Sequence, residues 1–187
     1  MKARDIPNLI CIVRMLLVFP IVIALLTERF GWALSLFVIA GLSDGLDGYL
    51  AKHYGWVTRL GSLLDPLADK LLQISVSVAC GWLGLIPAWL VGLVIIRDVV
   101  IITGALVYHN KFGPFEGEPL ISSKLNTVMQ LGLLTIVMVN KAILPIAETV
   151  INVLIFFVVV TTLWSGASYV YEWGWRAKEQ HRGGHQI

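Results

Sequence analysis

Four aspartates lie within 26 residues of a chain that is otherwise strongly apolar. Asp44 and Asp47 are three residues apart, and Asp65 and Asp69 are four residues apart. If both stretches are helical, each pair lies on one face of its helix. A charged side chain deep in a bilayer costs roughly 2.5–3.5 kcal/mol on insertion scales, so four of them need a purpose. Because converging carboxylates repel one another, their spacing predicts that a cation binds between them.

The type of cation follows from the donor atoms. Carboxylate oxygens favour Mg²⁺, Mn²⁺ or Ca²⁺ over zinc, and Gly45 and Gly48 would let a ligand approach the acids closely. Two alternatives are a structural quartet paired with basic residues, and a proton or sodium relay in a transporter. The nearby bases are only Lys52, Arg59 and Lys70, too few to pair all four acids. The pattern therefore favours a divalent metal site.

The composition is typical of an integral membrane protein. The chain has 187 residues, of which 57% are hydrophobic, and a mean hydropathy of +0.81. This length predicts a single domain over residues 1–187. Cys11 and Cys80 lie in apolar segments and are expected to be buried thiols rather than a disulfide. We expect no secretory signal peptide, because the first apolar run is long enough to span a membrane. Neither a nucleic-acid-binding motif nor a nucleotide-binding loop occurs, so nucleic acid is not an expected partner.

Six apolar segments are close to the ~20 residues that a spanning helix needs. They cover residues 8–27, 32–51, 61–83, 86–108, 121–140 and 146–172. The expected fold class is all-α integral membrane, a bundle of six transmembrane helices with a polar cavity facing the cytoplasm. The acidic motif occurs once and no inverted repeat is evident, which counts against the common transporter architectures.

The basic residues between the segments predict the orientation. If all six segments cross the membrane, nine of these basic residues lie on one side of it and two lie on the other side. The nine are Lys2, Arg4, Lys52, Arg59, Lys111, Lys124, Arg176, Lys178 and Arg182; the two are Arg29 and Lys141. Both termini and the acid-bearing ends of segments 2 and 3 are therefore expected on the cytoplasmic side of the membrane, which is the inner membrane if the cell is bacterial.

Two arginines lie inside apolar segments. Arg14 either extends to the headgroup level or faces the acids and binds a phosphate. Arg97 and Asp98 are adjacent and point about 100° apart on a helix. We expect them to be poor partners for each other and to pair elsewhere in the interior. Arg97 is either a functional group suited to phosphate or carboxylate or an ion-pair partner of a site acid.

The start of segment 5 is polar and carries one base. Its sequence, Ser122-Ser-Lys-Leu-Asn-Thr127, includes Lys124 and Asn126. A helix start of this kind suits an anionic headgroup. The alternative is an ordinary N-cap with a solvated lysine.

The acidic stretch resembles the signature of the CDP-alcohol phosphotransferase family, D-x2-D-G-x2-A-R-x8-G-x3-D-x3-D. Seven of its eight fixed positions are matched with the family's spacing. They are Asp44, Asp47, Gly48, Ala51, Gly61, Asp65 and Asp69. The departure is Lys52 in place of arginine, which keeps the charge and loses the planar fork. The six segments and the Pro-Asn…Arg14 pattern also resemble the family, so the likeness covers most of the chain.

This resemblance implies an enzyme that transfers a phosphatidyl group from CDP-diacylglycerol to an alcohol and releases CMP. It implies that the four aspartates hold Mg²⁺ or Mn²⁺ and that Asp69 is the general base. It also implies donor-binding roles for Gly48, Ala51, Lys52, Gly61 and Arg14, with the donor's acyl chains lying among membrane lipids. Family members are commonly homodimers, and Gly41-x3-Gly45 is a possible packing face.

The acceptor is predicted from segments 4 and 5. The S-K-x-N-T stretch and Arg97-Asp98 resemble the cardiolipin synthase branch of the family, whereas the phosphatidylglycerophosphate synthase branch more often has G-K-x-K-T. Asn126 in place of a second lysine leaves one cation fewer, which favours singly charged phosphatidylglycerol over glycerol 3-phosphate. We therefore expect Arg97, Lys124 and Asn126 to bind phosphatidylglycerol. Phosphatidylglycerophosphate synthesis is the alternative, and a cation-coupled transporter is a remote one.

Overall fold

The backbone of this computed structural model is described for residues 6–54, 61–112 and 120–183. Side chains are described for residues 8–45, 53–54, 64–107 and 120–172. All structural statements below concern these parts of the chain.

Six α-helices form the described backbone, which contains no β-strand. They are α1 Ile6–Leu26, α2 Phe30–His53, α3 Gly61–Trp82, α4 Ala88–Phe112, α5 Ile121–Ala142 and α6 Glu148–Gly183. The predicted all-α class and the number of helices are confirmed. Helix α4 continues four residues beyond its predicted end at 108, and α6 continues eleven residues beyond 172.

Four of the helices are long and apolar enough to cross a membrane: α1, α4, α5 and α6. Among the residues with described side chains, the apolar part of α2 runs over Phe30–Gly45, a range that includes Asp44. Helix α3 carries Asp65, Asp69 and Lys70 in its first three turns, which lowers its hydropathy. The protein therefore has the features of a multi-pass membrane protein, and spanning by α2 and α3 remains a prediction.

The chain divides into two compact units. Unit 1 comprises Met1–Ala88 and Leu134–Ala147, and unit 2 comprises Trp89–Leu133 and Glu148–Ile187. In unit 1, α1 packs against both α2 and α3. The helices meet through buried apolar side chains, many of them small, which lets the backbones approach closely. They include Cys11, Val18, Ile21, Leu25, Ala33, Phe37, Ala40, Ala68, Leu72, Val76 and Ala79.

Tight turns end α1 and α3. Gly84 follows α3 with a positive φ of 68°, and the N–H of Leu85 donates to the carbonyl of Cys80 at 2.9 Å. The α1 end has the same pattern with Glu28 at a φ of 57°. This is the Schellman type of helix ending, in which one residue takes the left-handed conformation. These turns let the next helix begin within six residues.

Unit 2 contains α4, the first half of α5, and α6. Leu90, Val94, Leu133 and Val158 are buried apolar residues of this unit. Among the described residues, it also buries eight polar or charged side chains. They are Arg97, Asp98, Ser122, Asn126, Gln130, Thr161, Thr162 and Ser165. A buried polar group costs free energy unless it is hydrogen-bonded. The hydrogen-bond partners of these side chains are therefore described together with the acidic cluster below.

Candidate active site

Three of the four predicted acids converge in unit 1. Asp44 lies in the second half of α2, and Asp65 and Asp69 lie one turn apart near the start of α3. One carboxylate oxygen from each residue lies within 4.8 Å of the other two. Each side chain exposes slightly less than half of its surface, between 42% and 46%. The predicted convergence of both helices is therefore seen for these three acids.

A guanidinium group occupies the centre of this cluster. Nη1 of Arg14 lies 2.7 Å from Oδ1 of Asp44 and 3.3 Å from Oδ1 of Asp65, and it also pairs with Oδ1 of Asp69. The Arg14 side chain is fully buried, with 0% exposure. Of the two alternatives for Arg14, the structure agrees with a side chain that faces the acids. Its binding of a phosphate stays a prediction.

The geometry of α1 explains how Arg14 reaches this position. Cys11 lies three residues earlier on the same helix face, and its Sγ donates to Oδ1 of Asp65 at 3.7 Å. Both residues belong to the buried face that α1 presents to its neighbours. The helix that lacks acids therefore supplies the positive charge of the cluster, which lowers the repulsion among the carboxylates.

The cluster also suits a divalent cation. Its donors are all carboxylate oxygens, the ligand type that Mg²⁺, Mn²⁺ and Ca²⁺ prefer. The three oxygens come from two helices, so the backbone spaces them before any ion binds. The side chain of the fourth predicted ligand, Asp47, lies outside the described residues. The arrangement can hold a metal ion, a guanidinium, or each in turn.

Other predicted donor-binding residues cannot be compared with the structure. Gly48, Ala51 and Lys52 belong to the last turns of α2, and Gly61 is the first residue of α3. Their surroundings lie outside the part of the chain with described side chains. Their roles remain predictions.

Arg97 forms a buried network in unit 2. Its Nη1 lies 2.7 Å from Oδ1 of Asp98, and its Nη2 donates to the hydroxyls of Ser123, at 2.8 Å, and Ser165. Both charged side chains are nearly inaccessible, at 6% and 4% exposure. The expectation that the adjacent residues would pair elsewhere is wrong. A long arginine side chain bends back across the 100° between neighbouring positions.

A second network surrounds Asn126, which is 1% exposed. Its Oδ1 accepts hydrogen bonds from the hydroxyls of Thr161, at 3.1 Å, and Thr162, at 2.8 Å. The Thr161 hydroxyl also lies 2.8 Å from the carbonyl oxygen of Phe157, so the amide is held beside two hydroxyls that can each donate or accept a hydrogen bond. Its Nδ2 is buried and has no hydrogen-bond partner among the described residues. The amide thus retains donor capacity.

Lys124 differs from these buried residues. It lies near the start of α5 and is exposed, whereas Ser122 and Asn126 on either side of it are buried. The start of α5 therefore combines a solvent-facing cation with buried hydroxyl and amide groups. This arrangement agrees with the predicted polar helix start, and anion binding by Lys124 stays a prediction.

Sequence reasoning missed the contribution of α6. In that helix, Thr161, Thr162 and Ser165 supply partners to Asn126 and Arg97. The available signal was the spacing of these hydroxyls in an otherwise apolar segment, since positions 161 and 165 are one turn apart.

Comparisons with known proteins agree with the acidic motif. The profile of the CDP-alcohol phosphatidyltransferase family matches residues 4–164. A human cardiolipin synthase (CMP-forming) is 32% identical over 188 residues, covering 90% of this chain and 61% of the relative. A rice chloroplastic CDP-diacylglycerol–glycerol-3-phosphate 3-phosphatidyltransferase is 33% identical over 183 residues, covering 88% and 56%.

A third relative is a probable cardiolipin synthase (CMP-forming) from Drosophila melanogaster, 34% identical over 142 residues, which covers 67% of this chain and 44% of the relative. The chain thus spans about half the length of these curated relatives. Their names include two different acceptor alcohols. Similarity establishes the family but does not by itself select the acceptor.

Proposed function

The chain belongs to the CDP-alcohol phosphatidyltransferase family, and from this we propose that it makes cardiolipin and CMP from CDP-diacylglycerol and phosphatidylglycerol. The observation that carries the proposal is the convergence of Asp44, Asp65 and Asp69 to within 4.8 Å in a chain whose described part includes four helices of membrane-spanning length. Both substrates are lipids with charged headgroups. A carboxylate cluster among apolar helices suits that combination.

The family is generally dependent on divalent metals, and we propose that Asp44, Asp47, Asp65 and Asp69 hold Mg²⁺ or Mn²⁺. When bound, such an ion would balance the charge that builds on the departing CMP. The chain's own residues complete the donor site. Arg14 has a planar guanidinium that can donate two hydrogen bonds to a phosphate. The match to the family motif assigns four further residues to the binding of CDP-diacylglycerol: Gly48, Ala51, Lys52 and Gly61.

The transfer forms one bond and breaks one. The acceptor hydroxyl oxygen attacks the phosphorus that carries the diacylglycerol group, in line with the leaving group. The bond from that phosphorus to the oxygen shared with CMP breaks, and CMP leaves with the electron pair. The Asp69 carboxylate takes the hydroxyl proton, acting as general base. Phosphorus keeps its oxidation state, so no redox partner is needed.

Phosphatidylglycerol is preferred as acceptor because of Asn126. This residue is buried and neutral, and Thr161 and Thr162 donate to its oxygen. A second lysine there would bury a charge next to two hydroxyls that the asparagine now satisfies. We propose that Arg97, Lys124 and Asn126 together favour the singly charged lipid headgroup. A more highly charged acceptor would favour an additional cation.

Phosphatidylglycerophosphate synthesis is the alternative. The observation that favours it is the similarity to the rice relative, whose name specifies glycerol 3-phosphate. In that case Lys124 and Arg97 would bind the phosphate group of glycerol 3-phosphate, which is a water-soluble acceptor. The two functions share the donor, the metal requirement and the release of CMP, and they differ only in the acceptor.

One assay separates the two. Purified protein in lipid nanodiscs receives CDP-diacylglycerol and Mg²⁺ or Mn²⁺, with phosphatidylglycerol and glycerol 3-phosphate supplied separately. We expect CMP and cardiolipin with phosphatidylglycerol alone. Release of CMP only with glycerol 3-phosphate would establish the alternative. Release with neither would contradict both acceptors.

We also propose an orientation and an assembly. The distribution of basic residues places both termini in the cytoplasm. A tag at either terminus that is accessible only in inverted vesicles would support this orientation. A homodimer is proposed from the family resemblance. Gly41 and Gly45 are exposed, and a Cβ added at either would meet nothing within 4 Å, so their face is open to a partner. Cysteine crosslinking at Gly41 in nanodiscs tests this interface.

A further inference from the structure

Arg14 and a divalent ion would compete for the same oxygens. Its Nη1 lies within 3.3 Å of Oδ1 from both Asp44 and Asp65, and it also pairs with Asp69. These are the three residues whose carboxylate oxygens form the candidate metal cluster. One nitrogen therefore occupies the point on which the carboxylates converge.

A guanidinium and a metal ion cannot share this point. Both are positive, and their repulsion at a few ångströms is large in a partly buried site. Moreover, an arginine remains protonated at any ordinary pH, so the conflict cannot be relieved by loss of a proton. If an ion binds, the Arg14 head group must therefore withdraw from the carboxylates.

We propose that Arg14 is an exchangeable counter-cation. Its single positive charge offsets part of the negative charge of the acids while no metal is bound. The guanidinium leaves the acids as the metal enters and then donates hydrogen bonds to a phosphate of the donor. This inference rests on the proposed use of a divalent metal. It assigns Arg14 a role that couples the two binding events, so metal and donor bind more tightly together than separately.

A permanent ion pair makes the opposite prediction. If Arg14 only held α1 against α2 and α3, its removal would loosen the cluster and weaken metal binding. The exchange proposal predicts tighter binding instead, because a competing charge is removed. Metal affinity measured without donor therefore separates the two roles, and it does not depend on catalytic activity.

The experiment measures Mn²⁺ binding by electron paramagnetic resonance on purified protein in detergent, without donor. Arg14→Met keeps the length of the side chain and removes its charge. We expect it to bind Mn²⁺ at least about tenfold more tightly than wild type. Arg29→Met, an equal charge change at an exposed position outside the cluster, is the control and should leave the affinity unchanged.

A second measurement tests the coupling. CDP-diacylglycerol should raise the Mn²⁺ affinity of wild type more than that of Arg14→Met, because only wild type has a released guanidinium to receive the phosphate. Equal enhancement in both proteins would contradict the second half of the proposal.

Folding supplies a further test. Without metal, Arg14→Met leaves three facing carboxylates with less compensation, so it should unfold at a lower temperature in EDTA and recover with Mn²⁺. Failure to fold in both conditions would overturn the proposal, since Arg14 would then be required in both states. Equal or weaker Mn²⁺ binding by the variant would also overturn it. No Mn²⁺ binding by wild type would instead contradict the proposed metal site itself.

Discussion

Nη1 of Arg14 lies 2.7 Å from Oδ1 of Asp44, which joins a buried residue of α1 to the acidic end of α2. This contact changes the interpretation of the carboxylate cluster. The negative charge of the acids is partly offset by a base from a helix that carries none of the motif. The charge of the cluster is therefore smaller than the motif alone implies.

The general-base role of Asp69 predicts a selective defect in Asp69→Asn. The amide cannot accept the hydroxyl proton, so turnover should fall at least about 100-fold. Donor binding should be largely kept, because the other carboxylates remain. The rate of CMP release and the affinity for CDP-diacylglycerol, measured on the same preparation, check both parts. Residual turnover near that of wild type would remove Asp69 from this role.

Asp44→Ala should abolish metal-dependent donor binding, since it removes the only described ligand that α2 contributes. We expect Mn²⁺ affinity to fall by more than about tenfold, as fewer charged ligands hold the ion. Titration of Mn²⁺ and of CDP-diacylglycerol in its presence measures this. Glu28→Ala, which removes an exposed carboxylate outside the cluster, controls for net charge. Unchanged donor affinity in Asp44→Ala would count against the metal assignment.

Helix positions were largely predictable from apolar length and from the proline and glycine residues between segments. For example, the predicted segment 61–83 corresponds to helix α3, Gly61–Trp82, in the structure. The end of α6 was missed because the polar and aromatic residues after 172 contain no proline, and Gly174 alone does not stop the helix before Gly183. Composition detects the membrane boundary there, whereas the helix continues past it.

Side-chain partners were less predictable. Helical periodicity describes the direction in which a side chain leaves the backbone, but not where a long side chain ends. For this reason the Arg97–Asp98 pair was missed, and the two possibilities for Arg14 could not be separated. The convergence of Asp44 with Asp65 and Asp69 was predictable because short side chains stay close to the helix face that carries them.

The acceptor proposal predicts a selective effect of Lys124→Ala. We expect KM for phosphatidylglycerol to rise roughly threefold to tenfold, a moderate effect because the exposed charge is screened. KM for CDP-diacylglycerol should change less. Lys141→Ala, at the exposed other end of α5, is the matched control and should change neither. A rise confined to the donor KM would refute the assignment of Lys124 to the acceptor.

Arg97→Met should destabilise the protein through the charge that it leaves behind. Asp98 would lose the guanidinium that faces it, and breaking a buried ion pair typically costs about 3–5 kcal/mol. Unfolding by SDS titration measures the loss. Adding Asp98→Asn to the same protein should restore part of the stability, because the uncompensated charge is removed. No difference between the single and double variants would show that the pair contributes through packing rather than charge.

The turn after α3 gives a prediction about stability alone. Gly84 has a φ of 68°, where a side chain is strained, so Gly84→Ala should destabilise by about 1–2 kcal/mol. Gly92 lies inside α4 with open space around its Cα, and Gly92→Ala should instead stabilise by roughly 0.5–1 kcal/mol. The same SDS titration on both variants compares the two effects. If Gly84→Ala were as stable as wild type, the left-handed turn would not be needed to join α3 to α4.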